Sequence, residues 1–511
     1  MKNKLFVIIL ILVIGIIFRL ALTENGSFLF NMDSARDFVD VREMVELGKL
    51  RLTGPSTAIE GVFNGPFWYY LLAVPYILSG GHPYGAIVME IILWVIGGFF
   101  LLKLVSRWSN FLILPVGAIW MASNYIVLAN LYSFNPTPVM FLTPLFIYLL
   151  VEYLEKGKAL YIILAWILGG LFFNFEMNFG VFVPLIILSS LILTGKFKQR
   201  AGRWFWIGAG FFVIFLLPQV LFDLKHQFLM SKAILRHISE NSNANFDLSD
   251  RFRSISDSFY NTFLPTMMNS KYLAWVILAL FVPAIFGFWR QGKKDALVLV
   301  SLSYIFLPFL GYLVLPVTVN PWHLGGEMAA SLILVAFLLN SLMEGKIISK
   351  ISALVLSGAI IWFVVLNIGN FFLTDRGTPN LNPSLYKNEI AAVDYVYKKA
   401  SGKNFKVYAY LPSIIDYPYQ YLIWWYGLKN FGYLPIDYAY SPGRTPYISN
   451  KAAFSEKDSG KRSNSGLVFL IKEPDRNYTR PGWEGDFVKL ESISKEMIGP
   501  LEIEIRKEII R

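Results

Sequence analysis

The sequence predicts an all-α polytopic membrane protein with a small α/β domain at its C-terminal end. Three observations predict it. Of 511 residues, 55% are hydrophobic and 16% aromatic, above the roughly 45–50% apolar share of soluble chains. The excess gathers between Leu5 and Leu373, in runs of about 18–22 residues, long enough to cross a hydrocarbon core of about 30 Å. The last stretch, 374–511, has ordinary soluble composition. The chain divides into a membrane body, 1–373, and a C-terminal domain, 374–511.

The first expected span is 5–22. Met1-Lys-Asn-Lys ahead of it looks like the start of a secretory signal, but no small-x-small cleavage site follows. Arg19 and Leu20 continue the segment, so it reads as an uncleaved span. A first outer loop, 23–83, comes next. Within it 67–78 is apolar but, at about a dozen residues, too short to span, and reads as re-entrant. Further spans are expected at 84–105, 110–128, 136–154, 159–177, 180–194, 204–222, 272–289, 295–316, 324–343 and 350–372, with a second long outer loop at 223–271. The total is about eleven transmembrane helices.

Charge orients these spans. With 67–78 not crossing, Lys2 and Lys4, Lys103 and Arg107, Lys156 and Lys158, the 196–203 cluster, Arg290 to Lys294, and Lys346 with Lys350 share one face. Positive residues mark the cytoplasmic side. The N-terminus is then inside, and both long loops and the C-terminal domain lie outside. The formal charge of +11 reflects this loop bias, so no nucleic-acid partner is expected. The absence of cysteine excludes thiol nucleophiles and thiolate metal sites. In the C-terminal domain, 389–400 reads as an amphipathic helix, and 406–411 and 466–471 read as strands. The aromatic 417–426 reads as a segment resting on the membrane. A structural or acceptor-docking role is expected for this domain.

Candidate chemistry lies on the outer face. Asp33, Arg36, Asp37 and Asp40 follow i, i+3, i+4, i+7 spacing, which makes one charged stripe on a helix. A solvated helix with local ion pairs would show the same spacing. The turn Gly61-Val-Phe-Asn64-Gly65-Pro66 would present Glu60 and Asn64 beside that stripe, with Trp68, Tyr69 and Tyr70 at the interface. Polar residues recur at the outer ends of spans: Asn135, Asn174 with Glu176, Lys225-His226, and Trp322-His323 with Glu327. Ionisable groups at such depth point to function. The chain has no phosphate-cradling P-loop and no Gly-x-Ser-x-Gly elbow. ATP-driven transport and serine hydrolysis therefore lack support. The four histidines lack a metal-ligand spacing.

At Asp33-Ser-Ala-Arg36-Asp37-Phe the sequence resembles the GT-C superfamily of membrane glycosyltransferases. The resemblance is to the group containing protein O-mannosyltransferases and the aminoarabinose transferase acting on lipid A. Those proteins carry an Asp-Glu-x-x-Arg-like motif in the first extracytoplasmic loop. Asp33 and Arg36 match it, Ser34 replaces the Glu, and Asp37 is an added acid. Asn64-Gly65-Pro66-Phe67 stands at the place of a Pro-Pro-Leu-like motif, with Gly65 for its first proline. Asn135 stands where relatives often have Asp. The resemblance covers the membrane body and implies a GT-C-like fold. It also implies a polyprenyl-phosphate sugar as donor substrate, membrane lipids as partners, and an extracytoplasmic acceptor that is a protein, lipid or glycan. The setting it implies is a bacterial or archaeal cell membrane.

The implied chemistry makes Asp33 the general base, with Arg36 and Asp37 beside it. A single displacement would invert the anomeric centre. Arg36, Lys225 and His226 are the candidates for the donor phosphate. Glu60, Asn64, Tyr69, Asn135, Glu176, Trp322 and His323 are the candidate substrate-binding residues. Relatives often work without a divalent metal; Asp33 and Asp37 are the residues that would hold one. Two other readings compete. A transporter or flippase of lipid-linked saccharides should carry ionisable groups near the bilayer midplane and broken helices in paired positions. A polysaccharide polymerase or ligase usually has its main outer loop late in the chain. Here the acids fill the first outer loop, which favours the transferase. The orientation is testable: a cysteine placed at Lys294 should resist an impermeant thiol reagent in intact cells, and labelling there would invert the topology.

Overall fold

A computed structural model describes residues 2–242, 248–315, 319–373, 380–413, 415–443, 448, 451–455, 462–475 and 478–508. The segment 374–379, where the C-terminal domain is expected to begin, lies outside the described residues.

Seven helices among the described residues are long and apolar enough to cross a membrane: Lys4–Gly26, Tyr84–Val105, Thr137–Lys156, Arg203–Lys225, Lys271–Arg290, Ala296–Val314 and Ile347–Leu373. The chain is an integral membrane protein. The other expected spans are shorter apolar helices, Asn110–Ala122, Ala159–Phe175, Met177–Leu193 and Glu327–Met343. Two of the breaks carry their own caps. The Ser123 side chain accepts from the Ile126 amide, and the Glu176 side chain accepts from the Asn178 amide. Non-helical backbone at membrane depth is tolerated only where protein buries it, and Ser123 and Glu176 are both buried.

Arg19 supports the first of these breaks. It is buried in the first span, with Nη1 donating to Met121 O at 2.9 Å and to Gly15 O at 3.2 Å. Its Nε donates to Asn130 Oδ1 at 2.7 Å, and its guanidinium lies 3.7 Å from the centre of the Trp94 ring. One cation thus serves the Met121 carbonyl, which its own helix leaves unpaired at its last turn.

The apolar segment expected to be re-entrant forms a 13-residue helix, Phe67–Ser79. At about 1.5 Å per residue it rises roughly 20 Å, short of a full hydrocarbon core. It ends at Gly80, whose φ of 60° is left-handed, a cap that glycine adopts without a Cβ clash.

The C-terminal domain holds a five-stranded sheet: β1 Asn404–Tyr410, β2 Asp437–Ala439, β3 Asn464–Lys472, β4 Glu491–Ile498 and β5 Leu501–Lys507. The order is β2-β1-β3-β5-β4, with β1 parallel to β2 and β3, and β5 antiparallel to β3 and β4. The helix Tyr386–Ala400 and the strands β1 and β3 cover the three segments expected from pattern. The aromatic segment 417–426 corrects the sequence reading. It lies in the helix Tyr417–Phe431, whose Tyr419, Tyr421 and Trp425 are buried in the protein, the last two against the loop 23–83. Its polar edges have protein partners: Tyr421 Oη donates to Gly81 O at 2.6 Å and Trp425 Nε1 to Gly80 O at 2.8 Å. The Tyr421 ring lies 5.3 Å from Phe38.

The domain's charge network centres on Lys472, which is fully buried. Its Nζ lies 2.7 Å from Glu484, 3.1 Å from Glu502 and 2.5 Å from Glu504. These three carboxylates are close enough together to hold a cation, and the ammonium supplies it. Burial would raise the Glu504 carboxyl, but Lys472, Ser492 and Arg506 outweigh burial and hold it down at about 2. Lys472→Ala should destabilise the protein by roughly 3–5 kcal/mol, because the acids lose their buried partner, and a thermal melt would show it. Because the Glu504 value is depressed below its ordinary 4.5, its contribution is complete above that pH. It should fade as the pH falls through about 2, and the Lys472→Ala variant should lose most of that dependence.

Candidate active site

The charged stripe forms as its spacing requires. The helix Met32–Glu46 starts at Asn31, whose side chain accepts from the Ser34 amide at 3.0 Å, the usual service of an N-cap. Arg36 then reaches the acid one turn back and the acid next to it, at 2.9 Å from Asp33 Oδ1 and 2.9 Å from Asp37 Oδ1. The three differ in access. The Asp33 side chain is 36% exposed, Arg36 14% and Asp37 0%. Asp33 therefore faces out and Asp37 faces in. The other Asp37 oxygen accepts from Trp68 Nε1 at 2.7 Å. Burial pushes the Asp37 carboxyl up to about 6, against Arg36 and the Trp68 donor, which favour its charged form. Arg36 also stands between the two carboxylates named as metal ligands.

The stripe continues into a second pairing. Asp40 accepts from Tyr69 Oη at 2.8 Å and from Arg51 at 2.8 Å, and Arg51 also meets Glu43 at 2.9 Å. Tyr69 is thus joined to the stripe. Arg51 was not singled out in the sequence, because it comes from a loop with no periodicity to mark it.

The remaining candidates fall in three places. Asn64, Asn135 and Glu176 bond backbone across the outer ends of helices. Asn64 Oδ1 accepts from Met177 N at 3.1 Å, Asn135 Nδ2 donates to Phe175 O at 2.7 Å, and Glu176 Oε1 accepts from Asn178 N at 3.2 Å. Glu60 is exposed at the tip of a turn closed by the Ser56–Phe63 bridge. The turn therefore does not present Glu60 and Asn64 together. Gly65 is glycine for a local reason: a Cβ there would lie 1.7 Å from Asn174 Oδ1, so proline has no room. Lys225 and His226 are exposed at the end of the helix Arg203–Lys225. The His226 ring stacks on Phe222, 4.1 Å between centres, and Phe222 meets Phe63 of the first loop. Neither cation bonds to the Met32–Glu46 helix among the described residues. His323 is buried and hydrogen-bonded to the Asn178 side chain, while Trp322 beside it is 43% exposed.

One acid escaped the sequence reading. Glu90 is fully buried in Tyr84–Val105, and its carboxylate faces the Phe134 backbone amide with no side-chain partner among the described residues. Tyr132 lies within electrostatic reach of both Asp33 and Glu90. A lone acid in an apolar run was the available signal. The loop that carries Tyr132 is tied to the site helix, because Ser34 Oγ donates to Ser133 O at 2.8 Å. Two cavities open nearby. One, of about 360 Å³, includes Tyr132 and Trp322 in its lining. The other, of about 180 Å³, is an apolar groove between the helices Lys271–Arg290, Ala296–Val314 and Glu327–Met343.

No family model and no curated protein matches the sequence. The fold has solved counterparts. ArnT from Cupriavidus metallidurans, in the apo state, superposes with a TM-score of 0.57 at 12% identity over 97% of each chain. The same protein bound to undecaprenyl phosphate superposes with a TM-score of 0.57 at 11% identity, again over 97% of each chain. The chain has the GT-C fold. The GT-C likeness runs through the membrane body and the C-terminal domain alike, since both lie within the matched length.

Within this GT-C body, Trp68→Phe should keep the ring and remove the donor to Asp37. A hydrogen bond to a charged group is worth roughly 1.5–3 kcal/mol. The loss should be largest above about pH 6, where Asp37 is ionised, and should shrink below it. Melting curves of wild type and variant at pH 5 and pH 8 would check this. An equal difference at both would place the Asp37 titration elsewhere.

Proposed function

We propose that this protein transfers a sugar from a polyprenyl-phosphate donor to a hydroxyl on an extracytoplasmic acceptor. The observation that carries the reading is the Asp33–Arg36–Asp37 arrangement. An accessible carboxylate is oriented by a guanidinium that a buried carboxylate holds from behind, at one end of a GT-C membrane body. The undecaprenyl phosphate bound to one fold counterpart supports a lipid phosphate as the donor's anchor.

In this mechanism the acceptor oxygen attacks the anomeric carbon and its proton passes to Asp33. The bond from that carbon to the phosphate oxygen breaks, and the polyprenyl phosphate leaves with the electron pair. One displacement inverts the anomeric centre. A positioned base contributes about 10²–10⁴-fold. Asp37 acts through Arg36 and does not touch substrate. One guanidinium between two carboxylates leaves a net negative cluster, so the leaving phosphate needs further positive charge. Lys225 and His226 are proposed to supply it, on a helix whose Phe222 packs against Phe63 of the first loop. The apolar groove lined by Phe259, Leu264, Ile277 and Phe281 is proposed to take part of the prenyl chain.

Buried Glu90 and Glu327 favour a second reading, in which the protein moves a lipid-linked saccharide across the bilayer. One experiment separates the two. Purified protein is given a polyprenyl-phosphate sugar and mixed hydroxyl acceptors. Wild type should release polyprenyl phosphate, and Asp33→Asn should release about 10²–10⁴-fold less. Equal release by both would remove Asp33 from its role. No release, with labelled lipid crossing a vesicle membrane, would support transport instead.

A further inference from the structure

The cavity of about 360 Å³ belongs to no step described above, and its lining is specific. Four aromatic rings face it, from Tyr125, Tyr132, Phe134 and Trp322. Tyr132 and Phe134 lie 5.5 Å apart at 33°, and Phe134 meets Trp322 edge-on at 6.1 Å and 75°. Asn124, Thr137 and Thr262 add amide and hydroxyl groups. No lysine, arginine, aspartate or glutamate lines it among the described residues. Its volume lies within the roughly 300–1,000 Å³ of small-molecule pockets, where apolar walls and a few polar groups fix a ligand's orientation.

Its position matters as much as its lining. Tyr132 lies within electrostatic reach of Asp33, and the neighbouring Ser133 carbonyl is bonded to Ser34. The cavity therefore adjoins the charged helix. On its other side runs the segment 258–268. Phe259, Tyr260, Leu264 and Met267 of that segment line the apolar groove, while Thr262 and Thr266 line the cavity. The segment includes a π-helical turn, Ser258–Phe263, a wide turn that recurs at functional sites. One short stretch of chain thus separates an apolar groove from an aromatic and hydroxylated one.

We infer that the cavity walled by Tyr125, Tyr132, Phe134 and Trp322 binds the sugar of the donor, and that this sugar is neutral. The inference rests on the transferase reading. A sugar ring has apolar C–H faces and a hydroxylated edge. Aromatic walls match the first, and amide and hydroxyl groups match the second. A neutral sugar needs nothing more. An amino sugar would bring a charged ammonium into an uncharged pocket, and a desolvated charge without a partner is costly. Glu90 and Glu327, the buried acids nearby, are not in the lining. With the prenyl chain in the groove and the sugar in the cavity, the leaving phosphate lies on the side of the segment 258–268 and Asp33 on the opposite side, the arrangement that an in-line displacement needs.

The test uses the full-length protein with three probes: polyprenyl-phosphate mannose, a polyprenyl-phosphate amino sugar, and sugar-free polyprenyl phosphate. Trp322 is half-exposed, so Trp322→Ala should fold, and a melting curve confirms it. Trp322→Phe serves as the conservative control. Wild type should release polyprenyl phosphate from the mannose donor in preference to the amino-sugar donor. Trp322→Ala should raise KM for the mannose donor about tenfold, as loss of a stacking wall predicts. It should leave the affinity for sugar-free polyprenyl phosphate unchanged, and Trp322→Phe should recover most of the loss. An unchanged KM in Trp322→Ala overturns the pocket and leaves the transferase standing. An equal loss of affinity for the sugar-free lipid also overturns it, because Trp322 would then serve the lipid phosphate. Preference for the amino sugar overturns the assignment of a neutral sugar. No release from either donor by wild type removes the transferase reading and this inference with it.

Discussion

The Asp37 carboxylate lies fully buried between two groups that it holds at once, the Arg36 guanidinium and the Trp68 indole. A buried charge without partners is costly, so both contacts must form whenever the helix Met32–Glu46 docks. Trp68 belongs to the helix Phe67–Ser79, and the bond therefore fixes one helix against the other. Arg36 is left with one free direction, toward Asp33. The accessible acid is thus oriented by an inaccessible one, and the geometry at the surface is decided beneath it.

The same helix is held from its other side by the C-terminal domain. Arg42 is buried, with its guanidinium 4.8 Å from the Trp424 ring and 4.1 Å from the Phe454 ring. Leu29 bridges to Leu385, and Tyr386 N donates to Phe28 O at 2.9 Å. The domain accordingly braces the helix that carries the charged stripe. Its aromatic helix has the composition of an interfacial anchor, yet the first loop offers its rings carbonyl partners at Gly80 and Gly81. Specific acceptors inside the protein give those donors fixed partners, which a lipid headgroup layer would not.

The outer ends of the spans obey a further constraint. Helices that stop inside an apolar layer expose carbonyls and amides that no water reaches. Asn64, Asn135 and Glu176 take up these groups, and Arg19 does so at the Ser123 break. Their depth, which marks them as functional in a sequence, is also the depth at which broken helices need side-chain partners. The two causes cannot be separated by composition. Only the identity of the bonded atom separates them, and here it is backbone.

The membrane body, the short apolar helix Phe67–Ser79 and the charged stripe were legible in the sequence, because each rests on local periodicity or on length. Eleven apolar runs, a run too short to span, and i, i+3, i+4 spacing require no knowledge of what packs where. The sequence by itself determined that Asp33, Arg36 and Asp37 share a face, and that the C-terminal domain mixes strands with helix. Tertiary structure alone decided which acid is exposed and which is buried, since Trp68 arrives from 31 positions along the chain. It alone brought Arg51 to Asp40 and Glu43, and turned the Tyr417–Phe431 helix onto the first loop. It brought Glu90 within electrostatic reach of Tyr132 and gathered residues from three distant segments around one cavity. Spacing along a chain reports neighbours within a turn or a strand. Burial and pairing depend on what the rest of the chain places against them.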